Sequence, residues 1–176
     1  MLTFNTESTL VVIPARGGSK RIPNKNVKEI FGQPMIYWPL MEMQKIFSRE
    51  NVLISTDSKM IQSVVERKGL DVPFMRPANL SDDFTGTAAV VQHALNWYEE
   101  NVKDVDYVLT IYPTAVLLCD EAIRSAMTIL SEDGDCDSVM SATHFSFPIQ
   151  RALFENDAGY AEMFEPKNFT TRSQDL

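Results

Sequence analysis

Apolar positions along the chain alternate between short unbroken runs and longer stretches with helical spacing. Leu10, Val11, Val12 and Ile13 form one such run, closed by Pro14, the pattern of a strand buried on both faces of a parallel sheet. Met35, Ile36, Leu40, Met43 and Ile46 then recur at helical spacing, with Pro34 suited to the first turn. Pro39 falls inside that pattern, so the helix starts late or kinks there. A second strand is expected over residues 51–54, running into Ser55, Thr56 and Asp57, and then a helix over 60–68 capped by Gly69.

Two prolines make residues 72–77 extended. A helix over 87–100 places Val90, Val91, Ala94, Leu95 and Tyr98 on one face. A strand over 105–112, a helix over 120–130 and a strand over 138–143 complete the rhythm. Strands alternating with helices imply an α/β fold, Rossmann-like and layered, with a mostly parallel sheet. From Phe145 the rhythm changes to short apolar pieces broken by Pro148, Gly159 and Pro166, read as a hairpin excursion turning at residues 157–159. The expected division is a nucleotide-binding core over 8–144 and an excursion over 145–170. The polar end, residues 170–176, closes with no helix or tail, which suggests that the natural protein continues.

Composition narrows the function classes. With 176 residues, 44% of them hydrophobic and 23% charged, the chain is long enough for one domain with its own core. A net charge of −8 excludes a broad basic face for nucleic acid, so a binder of anionic ligands must concentrate its cations locally. Cys119 and Cys136 lack CxxC spacing and read as buried thiols, and the nine methionines read as core filler. No signal-like start and no apolar stretch of membrane-spanning length is present, so a cytoplasmic protein is expected.

The cations do concentrate. Ile13-Pro-Ala-Arg-Gly-Gly-Ser-Lys-Arg-Ile-Pro-Asn-Lys-Asn26 holds Arg16, Lys20, Arg21 and Lys25 with no acid among them. This loop follows a strand, at the carboxyl edge where open α/β sheets bind ligands. Gly17 and Gly18 permit a backbone that turns amides toward an anion, and Ser19 adds a hydroxyl donor. Neither the P-loop spacing nor the dinucleotide glycine fingerprint occurs. The loop suits a triphosphate.

That loop closely resembles the signature of the CMP-sugar-acid synthetase (acylneuraminate cytidylyltransferase) family. Ser55-Thr56-Asp57, Arg76-Pro77-Ala78, Leu80-Ser81-Asp82, Thr87 and Thr171-Arg172-Ser173-Gln174-Asp175 agree in order and spacing. Within the family the chain looks most like the members acting on pseudaminic acid, through Tyr112, Phe147-Pro-Ile-Gln-Arg151, Glu162-Met-Phe164 and residues 171–176. Sialate enzymes usually carry glutamine, then Pro-Thr-Ser-Pro, where this chain has Tyr112 and Ala115-Val116.

The resemblance implies transfer of CMP from CTP to the anomeric hydroxyl of a nonulosonic acid, with release of pyrophosphate. It also admits an N-acetylneuraminate, legionaminate or Kdo substrate, or a noncatalytic nucleotide-binding domain. By resemblance Ala15, Arg16, Gly17, Gly18, Ser19, Lys25 and Asn26 surround the nucleotide, with Lys25 and Arg16 carrying catalytic charge. Lys20 and Arg21 are either ligands or merely nearby. Arg76 and Thr87 match cytidine contacts, the first otherwise a loop tether and the second also suited to a helix N-cap. Asp57 is either an N-cap for the 60–68 helix or a ligand residue.

Tyr112, Arg151, Arg172 and Gln174 resemble sugar-acid contacts, arginine's paired donors being apt for a carboxylate. Arg151 could instead serve a homodimer contact, in which Phe147, Phe154, Phe164 and Phe169 would be buried. Magnesium is implied as the metal, its principal aspartates lying beyond Leu176. His93 falls on an apolar helix face and reads as packing, and His144 is left open.

Overall fold

The computed structural model describes residues 5–172. The chain divides into two compact units, Met1–Val139 and Met140–Leu176. In the first unit, β1 (Thr9–Pro14) is the middle strand of a parallel three-stranded sheet, flanked by β4 (Val52–Ser55) and β5 (Tyr107–Thr110). Val12 pairs with Leu53 on one side and Thr110 on the other. A central position explains the unbroken apolar run, because both faces of β1 are covered. Successive side chains of a strand point to opposite faces. Val11 and Ile13 accordingly pack with Ile36, Leu40, Met43, Ile61, Val65 and Ile123. Leu10 and Val12 pack with Ala94 and Tyr98.

Those partners define the layers. Helices α1 (Tyr37–Met43), α2 (Lys59–Glu66) and α4 (Asp120–Glu132) cover one face, and α3 (Thr87–Asn101) covers the other. The expected α/β layering and parallel sheet are present. Asn51, buried just ahead of β4, donates to the carbonyls of Thr6, Glu7 and Thr9 at 3.1, 3.0 and 2.8 Å and so ties the start of β1 to β4.

Local details depart from the sequence pattern for identifiable reasons. Pro34 is not in a helix but in β3 (Gln33–Pro34), which pairs antiparallel with β2 (Glu29–Ile30). Phe31 and Gly32 turn that hairpin with φ of 51° and 77°, the positive angles a two-residue reverse turn requires. The Phe31 ring meets Trp38 edge-on, ring centroids 6.1 Å apart, and is otherwise exposed. Helix α1 starts only at Tyr37, so Pro39 sits in the first turn, where its missing N–H has no intrahelical partner to lose and no kink results.

Ser58, not Asp57, caps α2, its hydroxyl accepting from the Ile61 amide at 3.4 Å. Gly69 follows α2 with φ of 75°, in the left-handed region expected of a helix-ending glycine. Residues 72–77 are extended as expected and reach the sheet through a parallel bridge between Thr56 and Met75. The strand expected over 138–143 does not form. An apolar pattern supplies side chains for a strand but no ladder partner, and these residues are mostly exposed. Cys119 is exposed at the N-cap of α4 and Cys136 half-buried, so neither is the buried thiol expected. The methionines are likewise mixed, Met43 in the core and Met60, Met75 and Met140 exposed.

The second unit holds the expected hairpin. β6 (Leu153–Glu155) pairs antiparallel with β7 (Ala161–Met163), and Gly159 in the turn has φ of 81°. Asn156 stabilises the turn, its side chain accepting from the amides of Ala158 and Tyr160 at 3.0 and 2.9 Å.

Candidate functional site

The sheet order places β4 on one side of β1 and β5 on the other, so the chain changes direction across the sheet between β1 and β5. Ligand crevices of open α/β sheets lie beyond the carboxyl ends of the strands at such a switch point. A cleft of about 260 Å³ opens there, lined from β1 by Pro14, from its following loop by Arg16, Ser19, Lys25 and Asn26, and beyond β5 by Tyr112, Pro113 and Thr114. Arg76, Leu80, Asp82, Asp83, Thr85, Thr87 and Val90 close the remaining wall.

The basic loop is anchored at both ends of one peptide. The Arg16 carbonyl accepts from Asn26 Nδ2 at 2.9 Å, and the Gly17 amide donates to Asp57 Oδ1 at 2.7 Å. Glycine is required at position 17, since an added Cβ would stand 2.9 Å from Ser58 Cβ, whereas nothing lies within 4 Å of one at Gly18. The Gly17 amide is therefore committed inside the protein and is not the anion donor that the glycine pair suggested. Ala15 is fully buried in the core, its amide bonded to the Ser55 carbonyl at 2.9 Å, so it anchors the loop and its side chain stays out of the cleft. Gly17 and Gly18 instead line an adjoining recess with Arg16, Ser19 and Lys20.

The cations have distinct surroundings. Arg16 donates to the Asp82 carbonyl at 2.6 Å and pairs with Asp83 at 2.8 Å, and Lys20 pairs with Asp83 too. Lys25 reaches the cleft with no ion-pair partner among the described residues. The acidic loop is itself well ordered: Asp82 Oδ1 accepts from the Thr85 hydroxyl and amide, both at 2.7 Å, and from the Phe84 amide at 2.9 Å. The Thr85 hydroxyl, with those amides, holds the Asp82 carboxyl below its usual range. Lys20, helped by Arg16 against partial desolvation, does the same for Asp83.

Arg76 is both tether and wall. It is 6% exposed, and its guanidinium donates to the Ser55 carbonyl at 2.5 Å and the Ser55 hydroxyl at 3.1 Å. Burial holds its pKa below the ordinary value, with Asp57 opposing and Arg16 adding to that effect, and an arginine remains charged at neutral pH regardless. Thr87 is the first residue of α3 while Gly86 occupies the cap position, which frees the Thr87 hydroxyl. That hydroxyl shares a 2.9 Å hydrogen bond with the Tyr112 hydroxyl across the cleft.

Of the sequence-predicted residues, Arg16, Ser19, Lys25, Asn26, Arg76, Thr87 and Tyr112 thus meet in one cleft. Arg151 ends a 3-10 turn of the second unit and Arg172 also lies in that unit. Gln174 lies outside the described residues. Arg21 is exposed and lines a shallow recess beside Lys20 and Lys25. His93 packs edge-on against Phe74 with ring centroids 4.9 Å apart, the packing role expected, and His144 is exposed. Sequence reasoning missed Asp83, Thr85 and Thr114. The only available signal was the acidic pair Asp82-Asp83 in a chain whose basic loop needs counter-charge.

The chain is similar to several known proteins. A cytidylyltransferase family description matches residues 10–153. The chain is 36% identical over 167 residues to the pseudaminic acid cytidylyltransferase of Campylobacter jejuni, covering 95% of this chain and 72% of that protein. It is 34% identical over 137 residues to the CMP-N,N'-diacetyllegionaminic acid synthase of Legionella pneumophila, covering 78% of this chain and 58% of that protein. Among solved structures, a CMP:2-keto-3-deoxy-manno-octonic acid synthetase complexed with CTP is similar in fold, with a TM-score of 0.56 at 19% identity. That match covers 72% of this chain, which spans about half of the solved one, 48%.

Proposed function

The chain belongs to the cytidylyltransferase family, and on that premise we propose that it binds CTP in the cleft between β1 and β5 and transfers CMP to a nonulosonic acid, pseudaminic acid in particular. The anomeric hydroxyl oxygen attacks the α-phosphorus, the bond to the bridging oxygen breaks, and pyrophosphate leaves as the hydroxyl proton is lost. Such a reaction needs fixed positive charge against the phosphoryl and leaving oxygens. The observation that carries the reading is Lys25, a cation in the cleft with no ion-pair partner among the described residues, facing the same space as Arg16, Ser19 and Asn26.

Arg76, Thr87 and Tyr112 form the wall assigned to cytidine and the near side of the sugar. Arg151, Arg172 and Gln174 are assigned to the sugar carboxylate. Magnesium is part of the proposal as the counterion of the triphosphate. Among the described residues no group of three or more His, Cys, Asp or Glu could hold a metal ion. A homodimer is proposed from the exposed Phe147, Phe154, Phe164 and Phe169 of the second unit. A cytoplasmic setting is proposed as well; no helix among the described residues is long and apolar enough to cross a membrane.

Calorimetric titration with CTP, ATP and GTP tests the nucleotide assignment. CTP is expected to bind at least about tenfold tighter than either purine, a discrimination within reach of a few hydrogen bonds to the base. Equal affinities would overturn it.

A further inference from the structure

We propose that Asp57 is a positioning residue of the phosphate loop: through its bond to the Gly17 amide it sets the Arg16–Gly17 peptide, and thereby aims Arg16 into the cleft. The inference rests on the CTP-binding function proposed above and extends it to a residue that does not line the cleft.

A glycine-rich loop has many backbone conformations available, and a cation on such a loop is aimed only if its peptide is held. Here the hold is two-sided. Asn26 grips the carbonyl of the peptide at 2.9 Å and Asp57 grips its N–H at 2.7 Å, so the plane of one amide group is fixed from opposite edges. Asn26 is 7% exposed. Asp57 stands on a rigid corner, preceded by the fully buried Thr56 at the end of β4 and followed by Ser58, which caps α2. The fit of Gly17 against Ser58 keeps the loop on that corner.

Asp57 is also an anion close to where a triphosphate would lie, and its charge opposes the ligand. Its acceptor oxygen helps while its charge hinders, and the two effects separate in Asp57→Asn. Asparagine keeps an Oδ1 in the same place and removes the charge. A metal ligand or a proton acceptor would behave differently, because both depend on the carboxylate itself.

The test measures CTP affinity without metal for the wild-type chain, Asp57→Asn and Asp57→Ala, alongside hydrogen exchange of the Gly17 amide in protein labelled with ¹⁵N-glycine. Seven glycines make that spectrum sparse enough to assign. Asp57→Asn is expected to bind CTP at least as tightly as wild type and to keep the Gly17 amide protected. Asp57→Ala is expected to bind about tenfold more weakly and to lose the protection, the loss of one bond to a charged acceptor. If Asp57→Ala does not fold, Asp57→Asn against wild type still decides. A folded Asp57→Asn protein that loses CTP binding or Gly17 protection overturns the proposal, as does an Asp57→Ala protein with wild-type affinity. Failure of the wild-type chain to bind CTP would instead sink the nucleotide assignment, while the exchange data would still report whether Asp57 holds the loop.

Discussion

The Arg16 guanidinium and the Asp83 carboxylate meet at 2.8 Å, so a cation of the basic loop is neutralised by an acid from the loop preceding α3. Lys20 shares the same carboxylate. Asp83 thus competes for Arg16 and Lys20 with the phosphate oxygens of the proposed triphosphate.

Asp83→Asn is accordingly expected to tighten metal-free CTP binding by about two- to fivefold, the range of a partly exposed ion pair. The gain should shrink at high salt, where such contacts are screened. Calorimetry at two ionic strengths checks both parts, and weaker binding by the variant would show that Asp83 helps to hold the ligand.

Lys25→Ala is expected to lower turnover by about a hundredfold while weakening CTP binding far less. The reason is that charge on the phosphoryl oxygens rises in the transition state, where a cation not already paired contributes most. Steady-state kinetics on the enzyme, with pyrophosphate release as readout, would disprove this by showing a raised KM at unchanged kcat.

Tyr112 shares its hydroxyl with Thr87 across the cleft. Tyr112→Gln is expected to shift the ratio of kcat/KM for pseudaminic over N-acetylneuraminic acid by about tenfold toward the latter, the scale of one polar contact. An unchanged ratio would remove Tyr112 from the specificity determinants.

Phe147 and Phe169 are 79% and 73% exposed. Phe154 and Phe164 form an edge-on pair at 6.5 Å across the hairpin, so the first two are the better targets. Changing both to serine is expected to convert a dimer into a monomer in light scattering. A wild-type monomer at high concentration would count against the dimer.

The acidic loop gives a pH dependence of defined sign. Both Asp82 and Asp83 are held below the ordinary value of 3.8, so their ionised forms support the folded loop. That support is complete above the ordinary value and is lost as pH falls through the lower folded values. The Thr85 amide proton, bonded to Asp82, should therefore keep its chemical shift down to about pH 4 and change only below it. A transition well above that point would show that the carboxyl is not stabilised.

The apolar patterns were enough for the parallel α/β class, since a short β-branched run such as residues 10–13, closed by Pro14, fits a strand covered on both faces. They were enough for α2, α3 and α4 to within a few residues, where helical spacing extends over two turns or more. They could not place β2 and β3, because Phe31-Gly32 is not a common hairpin turn and positive φ is unusual for phenylalanine. They also suggested a strand over 138–143 that lacks a ladder.

The concentration of Arg16, Lys20, Arg21 and Lys25 after β1 is a property of sequence, and it located the site, because local charge needs no folding to be counted. Which of those cations is free and which is paired is a property of space. Asp83 reaches Arg16 from more than sixty residues away, and Asp57 reaches Gly17 from the end of a neighbouring strand, 40 residues on. Contacts between segments so far apart follow from the order β4, β1, β5 and from packing that sets the loops side by side. Spacing along the chain carries no record of them.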